Sequence, residues 1–181
     1  MTTPAEPPGP TLCPVDDDGT RRVVEQLAQL YRHDMSEFLG HLPREDGTFA
    51  FSVLPSFFTE PDRRALLIAS GPVPAGFALT RTLEDGAGCV SAFFVVRALR
   101  GRGVGRRAAL ELLRTRPGPW AIAFQTANTG AARFWRRIAE EAAGPGWTEE
   151  LRPVPPPAPA GLPPDNWILL DTGGRADVPG A

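Results

Sequence analysis

Between Val95 and Leu113 an apolar strand ends, a run carrying Gly101, Gly103 and Gly105 follows, and an amphipathic helix begins. Val104, Ala108, Leu112 and Leu113 form the apolar stripe of that helix, while Arg102, Arg106, Arg107 and Arg114 can reach solvent or ligand. A helix N-terminus presents unpaired backbone N–H groups and a partial positive charge. Glycines in front of it let the backbone approach an anion closely. The segment is therefore a physical anion site, and a pyrophosphate is its natural occupant. A glycine-rich structural turn flanked by solvated arginines is the plainer alternative.

Two familiar phosphate motifs fail here. The dinucleotide pattern G-x-G-x-x-G breaks because Arg106 stands where its last glycine belongs. The Gly-Lys-Ser/Thr of a P-loop cannot occur, since all 19 basic residues are arginine. The missing lysine also removes a Schiff-base former.

Around this segment the hydrophobic pattern orders the chain. Residues 1–20 are rich in Pro, Gly and Asp and are expected to form a flexible leader. Asp16, Asp17 and Asp18 can lead into a helix, because acidic groups favour a helix N-terminus. From Arg21, apolar residues from Val23 to Leu39 recur at helical steps until Gly40 and Pro43. Strands are expected at Thr48–Leu54, Ala65–Ser70, Ala75–Leu83, Gly88–Val96 and Trp120–Gln125. Helices are expected at Val104–Arg114 and Asn128–Ala142, and final strands at Trp147–Arg152 and Trp167–Leu170. The proline tract Pro153–Pro164 separates those last strands, and residues 173–181 read as a flexible tail. The order implies one α/β domain over residues 21–172, with a central sheet covered by helices.

A net charge of -2 supplies no general attraction to nucleic acid or to an anionic membrane. No apolar run approaches the ~18 residues of a membrane span, and no secretory signal opens the chain, so the expected compartment is the cytoplasm. Cys13 and Cys89 have neither metal-site nor disulfide spacing, and no metal is expected.

The run Arg100-Gly101-Arg102-Gly103-Val104-Gly105 resembles the Arg/Gln-x-x-Gly-x-Gly/Ala motif of the GNAT superfamily of N-acetyltransferases. Asn128, Ala131-Ala132 and Phe134-Trp135 look like the family's Asn-x-x-Ala-x-x-Phe-Tyr segment, at the matching separation. The resemblance covers about residues 65–140; a narrower likeness around Tyr31–Phe38 is to a bacterial subgroup of predicted acetyltransferases. It implies a mixed, mostly antiparallel central sheet flanked by helices, with acetyl-CoA as cosubstrate. The backbone of Phe94, Val95 and Val96 would then bond the pantetheine arm, and the amides of Gly101, Arg102, Gly103, Val104, Gly105 and Arg106 would hold the pyrophosphate. Arg100 would shape the loop, Asn128 would order the site or contact the cofactor, and Phe134 would pack on the CoA arm. Asn128 is equally suited to cap a helix. Many relatives are dimers, so a homodimer is among the expected states.

The implied reaction is attack of a small-molecule amine on the acetyl thioester, with a base for the amine proton and an acid for the thiolate. Family members often carry a carboxylate in the fourth strand, where this chain has Ala92, and a tyrosine where it has Trp135. Asp34, Glu37 and His33, on or at the end of the first helix, are the candidates to substitute. The alternatives are a domain that binds acyl-CoA without transfer, or a natural-product enzyme of atypical chemistry.

Overall fold

The computed structural model describes residues 9–154 and 162–174. Seven strands form one sheet in the order β1-β2-β3-β4-β5-β7-β6. They are β1 (Pro10–Pro14), β2 (Arg63–Ser70), β3 (Val73–Thr82), β4 (Gly88–Val95), β5 (Pro119–Gln125), β6 (Thr148–Arg152) and β7 (Asp165–Asp171). The helices are α1 (Asp18–Leu39), a single turn α2 (Ser56–Thr59), α3 (Val104–Arg114) and α4 (Thr129–Ala143). All neighbouring strands run antiparallel except β4 and β5. This is the mixed, mostly antiparallel sheet that the family resemblance implies.

The two faces carry different cores. On one, α3 and α4 pack Leu112, Leu113, Trp135 and Ile138 against Val90, Ile122 and Ile168. On the other, α1 and α2 lay Val24, Ala28 and Phe57 on Leu67, Phe77, Leu79, Ala92 and Phe94. Helix α1 starts where Asp17 accepts hydrogen bonds from the Gly19 and Thr20 amides, and stops at Gly40 with φ 65°. A left-handed residue at that place ends a helix, and glycine takes it without strain.

Two expectations need correction. Within the stretch read as a flexible leader, Pro10–Pro14 forms β1, pairing Cys13 with Leu67 and Leu12 with Ile68. An edge strand needs donors only on its inner side, so its prolines are tolerated. Helix α1 likewise begins inside that stretch, whereas residues 1–8, 155–161 and 175–181 lie outside the described residues. The strand expected over Thr48–Leu54 is irregular chain and turn. There the Gln29 side chain takes both backbone groups of Phe49, donating to its carbonyl at 3.3 Å and accepting from its amide at 2.7 Å. Phe51 packs beside Tyr31, so the aromatic alternation is met by packing against α1 rather than by a ladder.

Candidate functional site: a parted sheet beside a glycine loop

Strands β4 and β5 pair only at Gly88/Trp120, Cys89/Ala121 and Val90/Ile122. Beyond Val90 the pairing ends, although each strand continues, so a cleft opens in the middle of the sheet. The register between β3 and β4 shifts between Leu79 and Thr80, which leaves Ser91 as an extra, exposed residue where the strands part. A bulge of this kind bends a strand.

The register also decides which backbone groups face the cleft. The Val96 amide donates to the Ala75 carbonyl at 2.9 Å, so that residue's polar groups point to β3. Successive residues alternate sides. Phe94 therefore pairs inward with Phe77, while Phe93 and Val95 turn their N–H and C=O groups to the opening. Of these, the Val95 carbonyl already accepts from Arg100 Nε at 2.7 Å.

The mouth of the cleft leads to the glycine loop. Gly101 has φ 74° and Gly103 φ 75°, both in the left-handed region. Gly103 caps α3 with no side-chain hydrogen bond. The first helical bond runs from the Arg107 amide to the Gly103 carbonyl, so the Val104, Gly105 and Arg106 amides have no partner within the helix. A Cβ on Gly103 would meet nothing nearer than the Arg107 guanidinium at 3.8 Å. The loop is thus an open cradle of donors with a cation beside it, and its donor set fits a pyrophosphate.

The other residues singled out in the sequence sit around this opening. Phe134 stacks on Phe93 with centroids 5.8 Å apart and the planes 26° from parallel. Asn128 accepts from the Ala131 amide at 3.0 Å and so caps α4. Arg106 is tied to Glu141 of α4, with its Nε at 2.8 Å; Arg102 is exposed. Trp135 is buried, edge-on to Phe93 at 5.3 Å.

Among those three candidates, Asp34 faces the loop. It accepts from Arg97 at 2.7 and 3.1 Å and from Arg100 at 2.6 Å. Burial acts to raise its pKa, but these hydrogen bonds and charges outweigh burial and hold it below the ordinary carboxylate value. Glu37 and His33 are exposed. The structure brings Asp34 to the loop through Arg97 and Arg100, and leaves His33 and Glu37 at the surface.

Sequence reasoning missed two groups on the face opposite α3 and α4. A cavity of about 220 Å³ lies there, and its walls include Ala92, Ser91, Ala123, Trp167 and Asp165. Asp165 opens β7 opposite Gln125, and burial raises its pKa against a partly offsetting Gln125 hydrogen bond. Tyr31 of α1 stands edge-on to Phe77 and Phe94 at 5.7 and 6.3 Å. Burial raises its pKa, opposed by the positive charge of Arg32 and aided by the smaller effect of Asp165. The signal for Tyr31 was its being the single tyrosine; Asp165 had none, because it follows a proline tract.

Residues 24–139 match the acetyltransferase (GNAT) family, well over half of the chain. The chain belongs to that family. Its fold is shared by an acetyltransferase from Thermus thermophilus, 18% identical, with a TM-score of 0.65 over 90% of this chain and 97% of that one. A chimeric spermidine N-acetyltransferase from Vibrio cholerae is 11% identical, with a TM-score of 0.61 over 90% and 95% of the two chains. A putative streptothricin acetyltransferase from Bacillus anthracis, solved in complex with acetyl coenzyme A, is 14% identical at a TM-score of 0.50, over 65% and 66%. No curated protein matches the sequence. At these identities the GNAT likeness to solved structures concerns the fold. Among the described residues no helix is long and apolar enough to cross a membrane.

Proposed function

We propose that this GNAT protein is an acetyl-CoA-dependent N-acetyltransferase acting on the amine of a small molecule. The carrying observation is the parting of β4 from β5 after Val90/Ile122, directly below the open N-terminus of α3. Acetyl-CoA supplies an activated acyl group as its thioester. The amides of residues 103–106 bind its pyrophosphate. Phe93 and Val95 offer the cleft two N–H groups and one carbonyl, enough to hold the pantetheine arm as an added strand is held. An N–H at the same edge polarises the acyl carbonyl where charge develops. Phe134, stacked on Phe93, closes the helix side of the cleft against water.

Proton handling falls to groups outside the usual places. Ala92 carries none, and Trp135 is buried in the core. Asp165, whose pKa burial raises, is the carboxylate lining the cavity at Ala92, and accepts the amine proton. The Tyr31 phenol, kept protonated by burial, is the donor on the α1 side.

Calorimetric titration with acetyl-CoA and with CoA tests this reading, followed by thiol release with an amine panel. Binding accompanied by amine-dependent release supports it. No binding reduces residues 100–105 to a structural turn. Binding without release from any amine favours the second reading that Ala92 and Trp135 support, a domain that holds acyl-CoA without transfer.

A further inference from the structure

The cavity at Ala92 is bipolar. At one rim stand Arg63 and Arg81, at the other Asp165, with Ser91, Ala92 and Trp167 between them. Arg63 is spoken for: its Nε donates to Glu60 at 2.6 Å, and its guanidinium lies over the Phe57 ring. Arg81 makes no ion pair among the described residues; it stands beside its strand neighbour Cys89, whose thiol pKa is raised by burial and lowered in part by the Arg81 charge. Asp165 has no cation partner among them either; it stands opposite Gln125 in the β5–β7 register. A half-buried cation and a half-buried anion that share one cavity, and do not pair with each other, are each left to find a partner in what fills it.

Resting on the acetyltransferase reading above, we infer that the acceptor is a zwitterion. Its amine lies toward Asp165, and a carboxylate or similar anion lies toward Arg81. The register sets the spacing. Arg81, Cys89, Ala121 and Leu169 share one row across β3, β4, β5 and β7. Asp165 lies four residues before Leu169 on β7. At ~3.3 Å per residue and ~4.8 Å per strand, the two Cα atoms are about 19 Å apart. Both side chains line the cavity they share, which shortens that span. An α-amino acid, whose ammonium and carboxylate flank one carbon, is too short to meet both. An amine and an anion separated by several bonds fit, as in an ω-amino acid or a short peptide. A polyamine fits poorly, because its second cation would lie against Arg81.

Linear ω-amino acids from glycine to ε-aminocaproate measure this directly. Each is compared with the alkylamine and the α,ω-diamine of matching length, by acetyl-CoA-dependent thiol release and mass spectrometry of the product. Expected are a rise in kcat/KM from glycine to δ-aminovalerate and a preference of roughly tenfold or more for δ-aminovalerate over pentylamine and cadaverine. Arg81→Met is expected to erase that preference through KM, and Asp165→Asn to lower kcat for every amine in the series. Both variants are first shown to be folded and to bind acetyl-CoA by calorimetry. Equal or better use of pentylamine or cadaverine overturns the inference. So does a folded Arg81→Met protein that keeps the preference. Acetyl-CoA binding with no transfer to any ω-amino acid overturns it while leaving the cofactor site standing. Failure to bind acetyl-CoA removes the reading on which it rests.

Discussion

Replacing Gly103 with valine separates the cofactor loop from the fold. Gly103 sits at φ 75° and ψ -8° as the N-cap of α3. An L-residue in that left-handed conformation costs roughly 1–2 kcal/mol, with a β-branched side chain at the upper end. Sterics add little, since the nearest heavy atom to a new Cβ is the movable tip of Arg107 at 3.8 Å. A loss of about 1–2 kcal/mol lowers Tm by about 2–8 °C in a domain of this size, so the variant stays folded. Its isopropyl group stands before the Val104, Gly105 and Arg106 amides and bars a phosphate from close approach. Acetyl-CoA affinity is expected to fall by about tenfold or more. Gly105→Ala is the internal control: its φ is not positive, and the added Cβ meets Phe134 and Val95 at an ordinary 3.6 Å. That variant is expected to melt close to wild type. Calorimetric titration gives the affinities and thermal melts give the stabilities. A folded Gly103→Val protein that binds acetyl-CoA as tightly as wild type refutes the assignment of the loop.

Three further outcomes follow from the contacts. Asp34→Asn breaks the ties to Arg97 and Arg100 and is expected to cost about 1 kcal/mol or less at neutral pH, because both arginines are partly solvated. The wild-type pKa is lowered, so this stability is present above the ordinary carboxylate range and is lost as pH falls through the folded value; urea melts of the two proteins should converge in acid. Asp165→Asn has the opposite sign. A raised folded pKa means that the ionised carboxylate is disfavoured in the native protein, so stability is full below the unfolded pKa and declines as pH rises through the folded one. The asparagine protein should therefore melt slightly above wild type at neutral pH by scanning calorimetry, with the gap closing as pH falls. Gly76→Ala would put a Cβ 1.9 Å from the Phe94 carbonyl oxygen, a backbone atom. The strands β3 and β4 must part to admit it, and denaturant melts should show a loss at or beyond the upper end of ~1–3 kcal/mol.

Local signals made much of the fold legible. Helix α3 spans the residues that its apolar stripe and glycine boundary predict, and β5 and β6 differ by one residue at one end. Strand β1 was hidden because its five residues begin and end with proline, and only pairing with β2, more than fifty residues away, makes it a strand. Thr48–Leu54 misled for the converse reason: alternation records which side chains are buried, not whether the backbone finds a ladder. At the candidate site the sequence shows the glycines and the helix start. It does not show that Asp34 is clasped by arginines 63 and 66 positions later. Nor does it show that Asp165, beside a proline tract, is carried by the β5–β7 register to the cavity wall. Long-range pairings decide both, and they leave no local pattern.

An unpaired strand edge inside a sheet is also a hazard, because it is a template on which a foreign strand can assemble. The cleft along β4 is such an edge, yet the protein keeps it short. It begins past Val90 and ends at Val95, and within it Phe93 and Val95 turn their polar groups outward. The last acceptor is consumed by Arg100, whose guanidinium also lies over the Phe94 ring and reaches Asp34. An incoming polypeptide would find few consecutive bonds to zip and the Arg100 guanidinium at the Val95 end. A slender thread with one or two amides still passes. The clasp that joins α1 to the loop thus also occupies the last acceptor of that short open edge.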